Sequence, residues 1–224
     1  MRDDSFAPVV RLAHYSFSLE VHPAIEDMGA VKRETGRQQD LLRGADVALR
    51  ARHADDIAVL HDGLYNDVIT RAQADSRPWI PIPAGAPALS PYAVESVSES
   101  ASFFSVVTVD DELVGEALLW GIDTFNRFAH VGLALLPAFR GRGFATESLQ
   151  LLCRYGFVVR GLNRLQLETN PVNAPMIRAA KNAGFVEEGT LRQANWSLGA
   201  FHDALVMGLL ASEWRDQSAR DPRS

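Results

Sequence analysis

Apolar and polar positions along this chain follow two rhythms, one of period two and one near 3.6, and their order predicts its elements. Val47-Ala48-Leu49-Arg50-Ala51-Arg52 alternates like a half-buried strand, and after His53 the residues Ile57, Leu60, His61 and Leu64 recur at helical spacing. Three strand-like runs follow, over 103–109, 113–122 and 128–136, joined by Asp110-Asp111 and by Asp123-Thr124-Phe125-Asn126-Arg127. Such short polar turns connect antiparallel neighbours, so a meander is expected. From Arg142 the rhythm is helical: Ala145, Leu149, Leu152, Cys153 and Gly156 share one face, while Glu147, Gln150 and Arg154 fall on the other. Arg164-Leu165-Gln166-Leu167-Glu168-Thr169 alternates as a strand. Asn173 then caps a helix carrying Met176, Ala180 and Ala183, which Gly184 stops. Two last strands, over 185–196 and 201–210, turn at Ser197-Leu198-Gly199-Ala200. Strand, helix, three antiparallel strands, helix, strand, helix and two strands make an α/β architecture with a mixed sheet.

Two stretches stand outside this pattern. Residues 1–40 carry scattered apolar positions without a sustained period and end in a polar run, which reads as an arm. Between Arg77 and Pro87 four prolines in ten residues forbid regular helix and predict a stiff excursion, in which Trp79 and Ile80 suggest a loop folded back over something.

Composition narrows the classes. A 47% hydrophobic and 22% charged chain of 224 residues is an ordinary globular protein with enough length for one full core. The formal charge of -6 argues against a nucleic-acid partner and for a cationic one. No apolar run approaches the roughly 20 residues that span a bilayer, and the amino terminus shows no apolar signal core, so no membrane partner is expected. The single cysteine, Cys153, excludes an intrachain disulfide and points to a reducing, cytoplasmic setting; its place on an apolar helix face makes it a packed thiol.

The chemistry concentrates where the third meander strand gives way to a helix. Arg140-Gly141-Arg142-Gly143-Phe144-Ala145-Thr146 places small residues and a helix start after a strand, where outward N–H groups and the positive end of the helix dipole suit a phosphate. Two arginines add cationic donors. A tight turn accounts for two glycines equally well. A nucleoside-triphosphate loop needs a Gly-Lys-Ser or Gly-Lys-Thr ending that is missing, and a dinucleotide loop wants a third glycine where Thr146 stands. Glu168, about 25 residues on, is the one feature a dinucleotide reading retains.

Arg140-x-x-Gly143-x-Ala145 resembles the pyrophosphate loop of the GNAT acetyltransferases. The Asn173-led helix ending in Gly184-Phe185 is similar to that family's, and Glu187-Glu188-Gly189-Thr190-Leu191-Arg192, Asp203 and Glu213-Trp214 resemble its RimJ/RimL-like branch. The resemblance implies a GNAT-like mixed, mostly antiparallel sheet with splayed fourth and fifth strands flanked by helices. It implies a domain over 41–215 with a tail at 216–224. It further implies that acetyl-CoA is held by Leu133, Ala134 and Leu135 along its pantetheine arm, by Arg140, Gly141, Arg142, Gly143, Phe144, Ala145 and Thr146 at its pyrophosphate, and by Asn173. No metal is implied. A plain helix N-cap explains Asn173 equally well.

The activity implied is acetyl transfer to an amine by direct attack, the acceptor being a small-molecule amine or a peptide N-terminus. Such a transfer needs a neutral amine, a donor to the developing oxyanion and a route for protonating the thiolate. The N–H near Leu135 is the expected oxyanion donor. Glu116, a carboxylate on an otherwise apolar strand face, and His130, where many relatives carry glutamate, are the candidate bases. A solvated glutamate and a surface histidine are the corresponding bland readings. His202 is a remoter candidate for substrate contact, and Asp203 reads as structural. Met176 stands where RimL-like enzymes often carry serine and Asn195 where they can carry a carboxylate, so the acid is unassigned. A catalytically idle acyl-CoA-binding module that regulates a partner is the alternative, and a homodimer is left open.

Overall fold

The structure is a computed structural model that describes residues 41–74, 77–83, 86–93 and 97–214. The expected arm at 1–40 and tail at 216–224 lie outside the described residues.

The strands are β1 (Val47–Ala51), β2 (Ala101–Thr108), β3 (Leu113–Asp123), β4 (Phe128–Leu135), β5 (Arg164–Thr169), β6 (Val186–Ser197) and β7 (Ala200–Leu210). The helices are α1 (Ala54–Leu60), α2 (Val68–Ala74), α3 (Phe144–Arg154) and α4 (Ala174–Asn182), with π turns extending α1 over His61–Tyr65 and α3 over Tyr155–Val159. All seven strands join one sheet in the order β1-β2-β3-β4-β5-β7-β6. Every pairing is antiparallel except β4 with β5, whose connection runs through α3. This is the α/β architecture with a mixed sheet that the sequence pattern predicts, and it is mostly antiparallel as the family resemblance implies.

Side-chain alternation assigns the two faces. Leu119 of β3 and Leu165 of β5 point to the face covered by α3, where Gly156 allows close approach: a Cβ there would lie 3.2 Å from Leu165 and 3.4 Å from Leu119. Leu149, Leu152 and Cys153 of α3 are fully buried on this side. Each leucine so buried contributes about 2 kcal/mol. The opposite face carries Arg50, Ser105 and Glu116 in register across β1, β2 and β3. There α1 docks through Asp56, which accepts hydrogen bonds from Arg50, from the Ser105 hydroxyl at 2.7 Å and from the His53 amide at 2.8 Å.

Two departures from the predicted pattern have clear causes. α2 was not expected, because it is inverted: Val68 and Ile69 face outward while Arg71 is buried, so its apolar spacing carries no helical signal. Arg154, assigned to the polar face of α3, is also buried, with a guanidinium nitrogen donating to the Leu41 carbonyl at 3.1 Å. A long aliphatic stem lets an arginine line a core while its head finds a carbonyl. The proline-rich excursion does fold back: the Trp79 indole donates to the Tyr65 carbonyl at 3.1 Å, and the Tyr65 hydroxyl donates to the Ile80 carbonyl at 2.7 Å.

Candidate active site

β4 and β5 begin as parallel neighbours and then part. Phe128, Ala129 and His130 pair with Arg164, Leu165 and Gln166, and beyond that step the ladder between them ends although both strands continue. His130 therefore stands at the apex of a wedge-shaped gap. The ladder on the other side of β4 determines which backbone groups face it. The Leu136 amide donates to the Val114 carbonyl at 2.9 Å, and the register Gly115↔Leu135, Glu116↔Ala134, Ala117↔Leu133 alternates from there. Ala134 consequently exchanges its bonds with β3, whereas Leu133 and Leu135 turn N–H and C=O away from β3 and into the gap. Arg140 Nε donates to the Leu135 carbonyl at 3.0 Å, which leaves the Leu135 N–H as that residue's group toward the gap.

At the mouth of the gap, Pro137–Phe139 forms a short 3-10 turn and Arg140 to Gly143 leads into α3. Gly141 and Gly143 have φ of +79° and +88°, and a Cβ at either would meet nothing within 4 Å. Glycine is required there by backbone conformation, and the missing side chains leave the loop open. Gly143 is the N-cap of α3, its carbonyl accepts from Thr146 at 3.0 Å, and the amides of Phe144 and Ala145 point outward from the first turn. The Arg142 guanidinium lies over the Phe139 ring, 5.4 Å from its centroid. An open positive-φ loop, a helix start and two arginines fit a diphosphate, and the gap beside them fits an extended arm.

The two candidate bases lie on one face of the sheet but in different surroundings. The His130 ring stacks on Trp120 with centroids 4.2 Å apart and meets Phe128 edge-on at 4.8 Å. Partial burial lowers its pKa, and the nearby Glu168 carboxylate opposes that shift. Glu116 lies opposite Ala134 and forms an ion pair with Arg52 at 2.9 Å, both side chains being largely buried. Arg52 also donates to the carbonyls of Tyr92 and Phe104. Burial pushes the Glu116 carboxyl up, and the Arg52 charge acts against it.

Asn173 caps α4: its Oδ1 accepts from the Met176 amide at 3.3 Å and its Nδ2 donates to the Thr169 hydroxyl at 3.2 Å. His202 meets the Ser197 carbonyl at 3.2 Å within the β6–β7 hairpin. Asp203 accepts from the Gln193 amide at 2.8 Å and so holds the bulge of β6. Cys153 is fully buried, which pushes its thiol far above the ordinary range. Reading the sequence alone passed over Trp120 and Arg52 and gave Glu168 only a role in a dinucleotide site. Their signal was strand alternation combined with a pairing register that becomes known only on folding. Among the described residues, no group of three or more His, Cys, Asp or Glu side chains is placed to hold a metal ion, and no helix is long and apolar enough to cross a membrane.

A parted parallel strand pair with an open glycine loop and a helix start at its mouth fits an α/β acyltransferase. Comparison with known proteins gives the family: the profile of the Acetyltransferase (GNAT) domain matches residues 46–186, and the chain belongs to the GNAT acetyltransferases. It is 26% identical over 171 residues to the uncharacterized SPbeta prophage-derived N-acetyltransferase YokL of Bacillus subtilis, covering 76% of this chain and 93% of that one. It is 31% identical over 108 residues to the putative ribosomal N-acetyltransferase YdaF of the same organism, covering 48% and 59%. Its fold is similar to that of the Vibrio cholerae spermidine N-acetyltransferase solved with CoA and spermine, with a TM-score of 0.61, 21% identity, and coverage of 76% and 98%. The chain is an N-acetyltransferase that uses an acyl-CoA donor and moves an acetyl group onto an amine.

Proposed function

We propose that this enzyme takes acetyl-CoA as its donor and acetylates a small cationic amine by direct attack, with His130 accepting the proton and a gap-facing β4 N–H between His130 and Leu135 stabilising the oxyanion. The observation that carries the reading is the position of His130 at the apex of the gap into which Leu133 and Leu135 direct their backbone groups. The loop from Arg140 to Thr146 would hold the diphosphate, Leu133 and Leu135 the pantetheine amides, and Asn173 the start of α4 beside them. Acetyl-CoA supplies the electrophilic carbonyl and the leaving sulfur. The protein's part is to bind both reactants close together, a contribution of about 7 to 11 kcal/mol when the alignment is good.

Glu116 suits a second role in this proposal. A carboxylate held by a buried guanidinium is fixed in place, so it would form the charged floor of the acceptor side while His130 handles the proton. The wall supports a small acceptor: Gly63 of the π turn abuts Leu136 at the end of β4, and the turn carries Tyr65, onto which Trp79 and Ile80 fold. Similarity to RimJ/RimL-like sequences supports that branch and keeps a peptide N-terminus as the second acceptor class. We further assign a cytoplasmic homodimer, with the exposed Trp196, Leu198 and Phe201 of the β6–β7 hairpin as the apolar positions a second copy would cover.

Thiol released from acetyl-CoA in the presence of small primary amines and of amino-terminal peptides tests the reading. Turnover with small amines is expected. Tight CoA binding without turnover across the whole panel would establish instead an idle acyl-CoA-binding module.

A further inference from the structure

His130 faces a residue that neither the family resemblance nor the relatives' names mention. Glu168 lies on β5 two positions beyond Gln166, the last β5 partner of His130, and alternation places Gln166 and Glu168 on the same face as the imidazole. His130 Nδ1 and Glu168 Oε1 are 4.0 Å apart. That is too long for a hydrogen bond between them. A nitrogen about 2.8 Å from each atom would subtend an angle of about 90°, close enough to tetrahedral for one ammonium to donate to both. Both atoms accept when the imidazole carries its hydrogen on Nε2.

The two acceptors are held from both sides. Gln166 Nε2 donates to the same Glu168 oxygen at 3.0 Å, Arg164 donates to Gln166 Oε1 at 3.1 Å, and Glu188 closes the chain on Arg164. On the β3 side Trp120 stacks on the imidazole, and Gly121 leaves room for it: a Cβ there would come within 3.2 Å of His130 Cδ2. Side-chain exposures of 21% for His130 and 37% for Glu168 leave the site reachable from solvent.

We propose that His130 Nδ1 and Glu168 Oε1 form a two-point seat for the acceptor's ammonium at the apex of the β4–β5 gap, Glu168 binding the cation and His130 taking its proton. The proposal deepens the reading of His130 as base and rests on it. It selects primary and secondary alkylamines over tertiary ones, because they are protonated near neutral pH and retain, after losing one proton, an N–H for Glu168 and a lone pair for attack. The N–H bond of the ammonium breaks as the Nδ1–H bond forms. The amine lone pair then makes the C–N bond while the C–S pair departs with sulfur, and the proton shed by the acylated nitrogen ends on the thiolate. The groups facing His130 are Glu168 and Gln166 from β5, with Arg164 beyond them already engaged by Glu188, and the neutral Trp120 and Gly121 from β3; on β7, Val206 opposes Glu168.

The test compares Glu168→Gln and His130→Gln by three readouts: NMR titration of the His130 ring in the free protein, steady-state kinetics with a primary alkylamine, and calorimetry with CoA. Glu168→Gln is expected to move the His130 titration to lower pH, because the charge that raised it is gone. It is also expected to raise KM for the amine about 10- to 100-fold while CoA affinity stays unchanged. If Glu168→Gln changes neither the titration nor KM while His130→Gln removes the acid limb of kcat/KM, the seat is wrong and the base stands. If His130→Gln keeps that limb, the base assignment and the seat fail together.

Discussion

The Trp120 indole lies nearly flat on the His130 imidazole, with centroids 4.2 Å apart and planes 15° from parallel, although Trp120 is 47% exposed. A large aromatic left half in water on a strand face, pressed on a titratable ring, restricts how that ring turns. Stacking of this kind contributes about 1 kcal/mol. Trp120→Ala should therefore lower kcat/KM about 5-fold with CoA affinity unchanged, and Trp120→Phe should restore most of the loss, as steady-state kinetics and calorimetry will report.

Gly143 offers a clean separation of conformational from steric effects. Its φ of +88° disfavours side chains, yet an added Cβ would touch nothing within 4 Å. Gly143→Ala should weaken CoA binding about 10-fold through the cost of a left-handed residue alone, about 1 to 2 kcal/mol. Gly143→Asn should weaken it less, since asparagine tolerates that conformation, and Gly143→Glu should abolish binding by placing a carboxylate where the diphosphate belongs. Equal affinity for all four proteins in calorimetry would refute the loop assignment.

The Arg52–Glu116 pair predicts non-additive stability. Glu116→Gln strands a guanidinium whose side chain is only 3% exposed, and should cost about 3 kcal/mol in urea unfolding. Arg52→Met strands the carboxylate and should cost a similar amount. The double variant should lose clearly less than the two single losses together, with the remainder reflecting the Tyr92 and Phe104 carbonyls that Arg52 also serves.

Asp56 governs acid stability. Burial by itself would raise its carboxyl, but the bonds from Arg50, Ser105 and the His53 amide prevail and hold it at about 2. With the folded value below the unfolded one, the stabilisation is complete above the ordinary carboxylate range near pH 4 and is lost as pH falls toward about 2. Asp56→Asn should destabilise the protein by about 3 kcal/mol at pH 7, and the gap between the variants should narrow between pH 4 and pH 2.5 in denaturant titrations. A constant gap across that range would remove Asp56 from the acid transition.

The amino-acid sequence by itself determined the succession of elements, because burial period and turn chemistry are local properties. The β5 strand at Arg164–Thr169, the Asn173 cap with its Gly184 stop and the glycines ahead of α3 are all legible residue by residue. It also placed the base candidates on strands and the glycine loop proposed for the diphosphate at a helix start. Where local pattern and environment disagree, it gave no warning: α2 turns Val68 and Ile69 outward around a buried Arg71, and Arg154 is buried by the carbonyl it meets across the fold. Only the tertiary structure decided which residues oppose one another. The strand ladder turns Leu133 and Leu135 toward the gap and Ala134 away from it, Arg52 claims Glu116 across 64 positions, and Glu168 arrives beside His130 through a parallel pairing that ends two residues earlier. Register and long-range pairing arise from packing the whole sheet, so a site built across β3, β4 and β5 exists only once those strands have met.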